Sequence, residues 1–311
     1  MFCSRVLTVS DPSVLTVAVC TYNRSDGLAQ TLERILAAGS PVSLEVEILV
    51  INNNSTDDTE AVIKRFRERD PRVRGVFEAK QGHSNARNAA IAAARGAYIA
   101  FTDDDVLVDE GWLRDLARVV AEESPGCVGG KVLPVWEGGK PDWMGPELYP
   151  MLALLDFHVD RVRLNIPKLW GANLCIDKTM ALALGGFSTK TGRSKTMLCS
   201  GDDTEFVGRA IAAGYKVIYD PKPTVWHRIG SDRGRKGYFR KWWYDNSRCR
   251  AHTGQGEPFF RALRGLLRRT LSPRTWFGDE KQRLLNQLEW MKGAGQVVGH
   301  IEARLGRSRH R

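Results

Sequence analysis

No stretch of this 311-residue sequence approaches the ~20 consecutive apolar residues that a membrane-spanning helix requires. The opening MFCSRVLTVSDPS also lacks the long apolar region of a secretory signal, so the expected compartment is the cytoplasm. Cysteines are few and scattered: Cys3, Cys20, Cys127, Cys175, Cys199 and Cys249 never fall at the short paired spacings of a zinc site. In a cytoplasmic chain they read as reduced packing residues. No Gly-x-Gly-x-x-Gly turn follows the first apolar run, which sets aside an NAD-dependent dehydrogenase. Internal repeats and low-complexity tracts are missing as well, which leaves a globular reading.

What is present supports that reading. A hydrophobic fraction of 42% over this length gives one large domain, or a domain with an appendage. The formal net charge of +10 is unevenly placed. Residues 1–230 carry 27 Lys and Arg against 29 Asp and Glu, whereas residues 231–311 carry 19 against 7. A uniformly basic protein would suggest nucleic acid. A near-neutral body with a basic appendage suggests a docking surface for something anionic.

Along the body, apolar runs alternate with helical patterns. Residues 15–19, 46–51, 73–77 and 97–101 read as strands, and helices are expected behind each polar break, including an alanine-rich one over 84–95. Ser55 with Asp58 resembles a capping box before the second helix. Such alternation predicts an α/β fold with a mostly parallel sheet covered on both faces. Ligands bind beyond the carboxyl ends of such strands, and the polar clusters 21–24, 52–58 and 103–105 all follow strands. Residues 131–165 are rich in Pro, Gly and Trp and read as loops over the sheet. A second ordered block runs from 169 to 227 and includes the short apolar run at 216–219.

Several residues carry chemistry, each with a plainer alternative. Asp103, Asp104 and Asp105 would repel one another unless a cation offset them, and hard oxygen ligands suit magnesium or manganese bridging to phosphate. A polar turn after a strand is the other reading. Asp202 and Asp203 open a helical pattern, where carboxylates either cap the helix or act as a general base. His227 is a core histidine or a metal ligand. Arg87, one turn into its helix, meets phosphate or is solvated.

Seven blocks in this order resemble family 2 glycosyltransferases of the GT-A fold, the bacterial-type inverting enzymes, over about residues 14 to 230. They are VAVCTYNR at 17–24, ILVINNNSTDDT at 48–59, GHSNARNAAI at 82–91, AYIAFTDDD at 97–105, WGANLCI at 170–176, GDDTEFVGRAIAAGYKVIYDP at 201–221 and VWH at 225–227. The resemblance implies a GT-A sheet flanked by helices, a nucleotide-sugar donor and a divalent cation, Mg or Mn. It makes Asp103 the ribose contact, Asp105 and His227 the metal ligands, and Asp203 the catalytic base. Asp202 stands where the family usually has glutamate. Thr21, Tyr22, Arg24, Asn52, Asn54, Arg87 and Asp104 join the nucleotide-contacting set, and Trp170, Gly171 and Asn173, with Asp202, border donor sugar and acceptor. The family usually has aspartate at the position of Asn52; an asparagine can still pair with a pyrimidine, so a UDP-sugar heads the expected donors.

Beyond the body, Phe259, Phe260, Leu263, Leu266, Leu267 and Leu271 share one helical face and Arg261, Arg264 and Arg268 the opposite one. Tyr238, Phe239, Trp242 and Trp243 form an aromatic stripe beside Arg240 and Lys241. These helices either lie on an anionic membrane or pack against the body. The expected layout is an arm over 1–13, a nucleotide-sugar-binding half over 14–130, an acceptor and base half over 131–230, and a basic helical extension over 231–311. The expected activity is transfer of a sugar to a glycan or lipid-linked glycan in cell-surface polysaccharide or glycoconjugate synthesis, in the cytoplasm and peripherally at the inner face of the cell membrane. No nucleic acid partner is expected, and no pattern speaks to oligomeric state. A non-catalytic basic protein that binds nucleic acid or membrane is the competing class; it would have no use for acidic clusters at strand ends, which repel phosphate without a metal.

Overall fold

The computed structural model describes residues 14–39, 44–189 and 198–305. The arm expected over 1–13, with Cys3, lies outside those residues.

Strands β1 (Val14–Thr21), β2 (Glu45–Asn52), β3 (Val73–Phe77) and β4 (Tyr98–Asp103) lie parallel in the order β3-β2-β1-β4. β1, β2 and β4 are buried along nearly their whole length, as continuous apolar runs covered on both faces should be. The helices between the strands turn apolar stripes to the sheet. α1 (Ser25–Ala37) buries Leu28, Leu32 and Ile35, α2 (Thr59–Arg69) buries Val62, Ile63 and Phe66, and α3 (His83–Ala93) buries Ala86, Ala90 and Ile91. The expected Ser55–Asp58 capping box does not form. α2 starts at Thr59, whose backbone N–H donates to Asp57, while the Ser55 N–H is taken by the Asn52 side chain.

The second half extends the same sheet through β5 (Val106–Val108), α4 (Trp112–Glu123), β6 (Cys127–Trp136) and the two-residue β7 (Val162–Arg163). A short 3-10 helix at Pro146–Leu152 lies in the Pro- and Trp-rich stretch. β8 (Leu174–Asp177), α5 (Lys178–Ala183), α6 (Asp202–Ala212) and β9 (Val217–Ile229) complete the body. Among the described residues the sheet has nine strands, ordered β3-β2-β1-β4-β8-β6-β9-β5 with β7 on β9. β5, β7 and β8 run against the rest. β6 crosses the boundary expected at 130/131, so both halves share one sheet.

β9 carries Pro221 and Pro223, which cannot donate to a ladder, yet it is one strand. Its partner β6 shifts register between Gly129 and Lys131, a bulge that skips the gap. At that point a Cβ on Gly130 would lie 1.9 Å from the Pro223 carbonyl oxygen, so only glycine lets the backbones approach. Asn173 seals the bulge. Its Nδ2 donates to the Lys131 and Pro223 carbonyls, each at 2.9 Å, and its Oδ1 accepts from Trp112 Nε1 at 2.9 Å. This corrects the expectation that Asn173 borders the donor sugar or acceptor: its polar atoms are spent inside the fold.

The extension contains α7 (Lys236–His252), α8 (Phe259–Thr270), α9 (Pro273–Trp276) and α10 (Glu280–Arg304). Buried glycines let α10 run close to its neighbours, Gly293 at Leu266 of α8 and Gly295 and Gly299 at Tyr244 and Arg248 of α7. The aromatic stripe on α7 packs on the body. Phe239 is fully buried, edge-on to Trp143 at 5.6 Å, and Tyr238, Trp242 and Trp243 rest partly buried on the core. The apolar face read on α8 divides: Phe259, Leu263 and Leu266 are half-buried, while Phe260, Leu267 and, just beyond the helix, Leu271 are exposed. The expectation that the cysteines stay reduced is also corrected. Cys199 is disulfide-bonded to Cys249 of α7 across 50 residues, a separation that no local spacing reveals. Cys20, Cys127 and Cys175 are free and buried. Among the described residues, no helix is long and apolar enough to cross a membrane.

Gly130→Ala should force the β6 bulge apart, at a cost of about 1–3 kcal/mol typical of overpacking. Urea denaturation would show this as a lower midpoint at unchanged slope.

Candidate active site

Strand register assembles the site. Cys20 of β1 pairs with Asp103 of β4, so Asp103 leaves the sheet level with the 21–24 loop. After the Asp104–Asp105 turn the chain enters β5, where Val106 pairs with His227 of β9 and Asp105 accepts from the Arg228 N–H at 3.0 Å. Asp105 Oδ1 and His227 Nε2 are thereby 3.3 Å apart. The start of α6 brings Asp202 and Asp203 to the same place. Together they border a cavity of about 870 Å³, also lined by Thr21, Tyr22, Arg24, Arg87, Trp170 and Gly171. That volume suits a small-molecule ligand.

The carboxylates differ because their neighbours differ. Burial pushes Asp104 up to about 7, with Asp105 adding repulsion, while Arg24 and the Thr21 hydroxyl, 2.8 Å away, oppose the rise. Asp104 thus ties the first loop to the end of β4. Burial also opposes ionisation of Asp105, but the guanidinium groups of Arg233 and Arg24 hold its carboxyl below the usual range. Arg233 donates to Asp105 at 3.1 Å, and Arg24 pairs with the same oxygen. Asp202 is buried too, yet Arg87 at 3.0 Å and His83 at 3.3 Å keep it ionised far below the ordinary value.

Asp203 moves the other way. Burial and then the charge of Asp202 raise its proton affinity, against the pull of Arg87 and two backbone donors. Those donors are Gly171 N–H to Oδ2 at 2.9 Å and Thr204 N–H to Oδ1 at 2.7 Å. They fix the carboxylate; Oδ1 also accepts the Thr204 hydroxyl at 3.3 Å, and Oδ2 keeps a lone pair for a further hydrogen.

Arg87 is not solvated: it meets the Asp202 carboxylate at the lining of the cavity. It is 2% exposed, ion-paired to Asp202, and lies over the rings of Phe101 and Phe187 at 5.9 and 5.1 Å. A Cβ on Gly171 would fall 1.6 Å from its guanidinium, which is why glycine follows Trp170. Asn52 and Asn54 also fall away from the cavity. Asn52 Nδ2 donates to Glu60 at 3.0 Å and its Oδ1 accepts from Ser55, while Asn54 is an exposed turn residue at φ 62°. Their neighbour Asn53 lines the cavity instead and accepts the Gly82 N–H at 2.8 Å.

Other lining residues were not singled out from sequence. His83, at the start of α3, bridges Asp103 at 3.6 Å and Asp202 at 3.3 Å. Its signal was present in the GHSNARNAAI block, next to the arginine that drew attention. Arg233, six residues beyond His227, lies in a segment read only for net charge. Trp242, read in sequence only as part of the aromatic stripe, forms a further wall with Asn246 and Arg250 of α7, which nothing in a basic helical pattern announces.

The glycosyl transferase family 2 model matches residues 16–176. The chain belongs to this family. The transferase is 25% identical over 245 residues to a glucosyl-dolichyl phosphate glucuronosyltransferase of Haloferax volcanii, covering 75% of this chain and 76% of the relative. It is also 25% identical over 234 residues to the succinoglycan biosynthesis protein ExoM of Rhizobium meliloti, covering 73% and 71%. Among solved structures, a mannosyltransferase of Pyrobaculum calidifontis, in complex with GDP-Man and Mn2+, superposes with a TM-score of 0.57 at 20% identity, covering 96% of this chain and 77% of that one. The fold is GT-A, as the resemblance implied, and the protein is a glycosyltransferase whose relatives build polysaccharides and glycoconjugates.

His83 gives this transferase a defined pH response. Burial and Arg87 oppose its charge, but Asp202 and Asp103 prevail and raise it from 6.5 to about 9. A raised imidazole stabilises the fold fully below 6.5 and loses that contribution as pH climbs through about 9. His83→Gln should therefore destabilise the protein at about pH 6 and much less at about pH 10, read from urea unfolding at both pH values.

Proposed function

We propose that this transferase is an inverting, divalent-cation-dependent enzyme that moves a sugar from a nucleoside diphosphate sugar to a hydroxyl of a glycan or lipid-linked glycan. The observation that carries the reading is Asp203: a buried carboxylate of raised proton affinity, fixed by two backbone N–H groups, opening on the cavity that Asp105 and His227 border. A base of that kind takes the proton of the acceptor hydroxyl as its oxygen bonds to the anomeric carbon. The bond to the nucleoside diphosphate breaks in the same displacement, so configuration inverts and no covalent sugar–enzyme intermediate forms.

Asp105 and His227 are the residues that would hold the cation. Among the described residues no three His, Cys, Asp or Glu side chains are placed to hold one metal ion, so a bound ion would take its remaining ligands from the diphosphate and water, as magnesium sites commonly do. The donor set fits. His227 Nδ1 donates to the Leu152 carbonyl at 2.8 Å, which leaves Nε2 as the acceptor facing Asp105. The cation would act as a Lewis acid that offsets charge on the departing diphosphate.

Arg87 and His83 position Asp202, and Arg87 packs on the Gly171 that steadies Asp203; in this reading Arg87 is a partner of the carboxylates, not a phosphate ligand. Asp103 remains our ribose contact, with Thr21, Tyr22 and Arg24 around the nucleotide. Asn52 is withdrawn as the reader of the base because both ends of its amide are engaged in the Glu60 and Ser55 turn. With that reader gone, the donor panel spans UDP-, GDP-, dTDP- and CDP-sugars on equal terms. Asp203→Asn should retain donor binding while losing transfer by roughly a hundredfold to ten-thousandfold, the range for removal of a general base. Near-normal turnover by that variant would refute the assignment.

The exposed apolar residues of the extension support a peripheral membrane position. Phe260, Leu267, Leu271 and Phe277 are exposed on α8 and the segment after it, among Arg261, Arg264, Arg268 and Arg274. Apolar side chains flanked by guanidinium groups suit the interface of an anionic bilayer, where a lipid-linked acceptor would be met. Replacing Phe260, Leu267 and Leu271 by Ser should reduce co-sedimentation with phosphatidylglycerol vesicles roughly tenfold or more. Unchanged sedimentation would remove the membrane from the proposal.

A further inference from the structure

Arg233 occupies an unusual position for a cation. Its side chain is 10% exposed, it donates from Nη1 to His227 Nε2 at 3.0 Å, and it donates from Nη2 to Asp105 Oδ2 at 3.1 Å. Asp105 and His227 are the two groups assigned above to a divalent cation. With Nδ1 committed to the Leu152 carbonyl, His227 Nε2 presents a lone pair to a carboxylate oxygen only 3.3 Å away. Two acceptors so close need a positive group to reconcile them. The guanidinium supplies it.

We infer that Arg233 is a resident stand-in for the divalent cation: it holds Asp105 and His227 together when no cation is bound and yields them only when an anionic diphosphate is present to receive its charge. Three features carry this. Arg233 engages both groups at once, as a bridging ion would. It also lines the cavity, on the short segment between β9 and α7, and so is placed to turn from the carboxylate to a ligand's phosphate oxygens. Finally, Arg24 pairs with Asp105 as well, so the carboxylate does not lose all compensation when Arg233 leaves. The consequence is coupling: metal alone must displace a buried, doubly bonded guanidinium with nowhere to put its charge, whereas metal with a nucleoside diphosphate supplies the acceptor.

The inference rests on Asp105 and His227 being the metal ligands, and the test separates the two claims. Manganese chloride is titrated into the full-length protein with and without UDP or GDP, and bound Mn2+ is followed by electron paramagnetic resonance. Wild type should bind Mn2+ weakly alone and far more tightly with nucleotide. Arg233→Gln should bind Mn2+ alone about tenfold more tightly than wild type and gain correspondingly less from nucleotide. Arg233→Lys, which keeps the charge but cannot span both groups, should fall between and serves if the Gln variant does not fold. Equal or weaker binding of Mn2+ alone by both variants overturns the role of Arg233. Asp105→Asn is the control for the site: if it abolishes nucleotide-dependent Mn2+ binding, the metal assignment stands whatever Arg233 does, and if it changes nothing, the metal assignment itself fails.

Discussion

Everything in this fold answers to the crowding of carboxylates at one edge of the sheet. Asp103, Asp104, Asp105, Asp202 and Asp203 all border a single cavity, and their mutual repulsion in a partly dry setting would unfold the edge if left uncompensated. Four side chains prevent that: Arg24 and Arg233 at Asp105, Arg87 and His83 at Asp202. Compensation is unequal, and the inequality is useful. Asp202 takes Arg87 and His83 and stays ionised, which raises the proton affinity of Asp203 beside it. One acidic cluster is thereby sorted into ionised anchors and a carboxylate of raised proton affinity.

Much of the first half was legible in sequence because its signals are local. Continuous apolar runs gave β1, β2, β3 and β4 close to their observed bounds, and polar clusters behind them marked the ligand edge. What sequence could not show depends on contacts between distant segments. Whether Arg87 faces a phosphate or a carboxylate is decided by Asp202, 115 residues away. Asn52, Asn53 and Asn54 are identical in chemistry, and only the turn geometry determines which of them lines the cavity. Asn173 is adjacent to cavity residues in the chain but is turned inward by a bulge formed between two other strands. The disulfide was hidden for the same reason, since α7 must first fold back before Cys249 can reach Cys199.

The extension resists a simple division between docking arm and core. Its first helix is part of the cavity wall, with Trp242, Asn246 and Arg250 facing inward, and it is pinned to the segment ahead of α6 through Cys199. α10 buttresses α7 through an ion pair between Arg248 and Glu302 and through glycines that permit close approach. Among the described residues of the extension, α8 and its continuation leave most of the large apolar groups outside, joined by Ile301 and Leu305 at the end of α10. The positive charge that marked this region in sequence is therefore shared between two tasks, completing the site and lining an outer face.

The stretch matched by the family model ends at residue 176, before α6, β9 and α7 begin. Yet the cavity is closed by Asp203, Arg233, Trp242 and Arg250, which all lie beyond that point. Substitutions in the last third of the sequence can therefore reshape one wall of the cavity while the strands that lead into Asp103, Asp104 and Asp105 stay as they are.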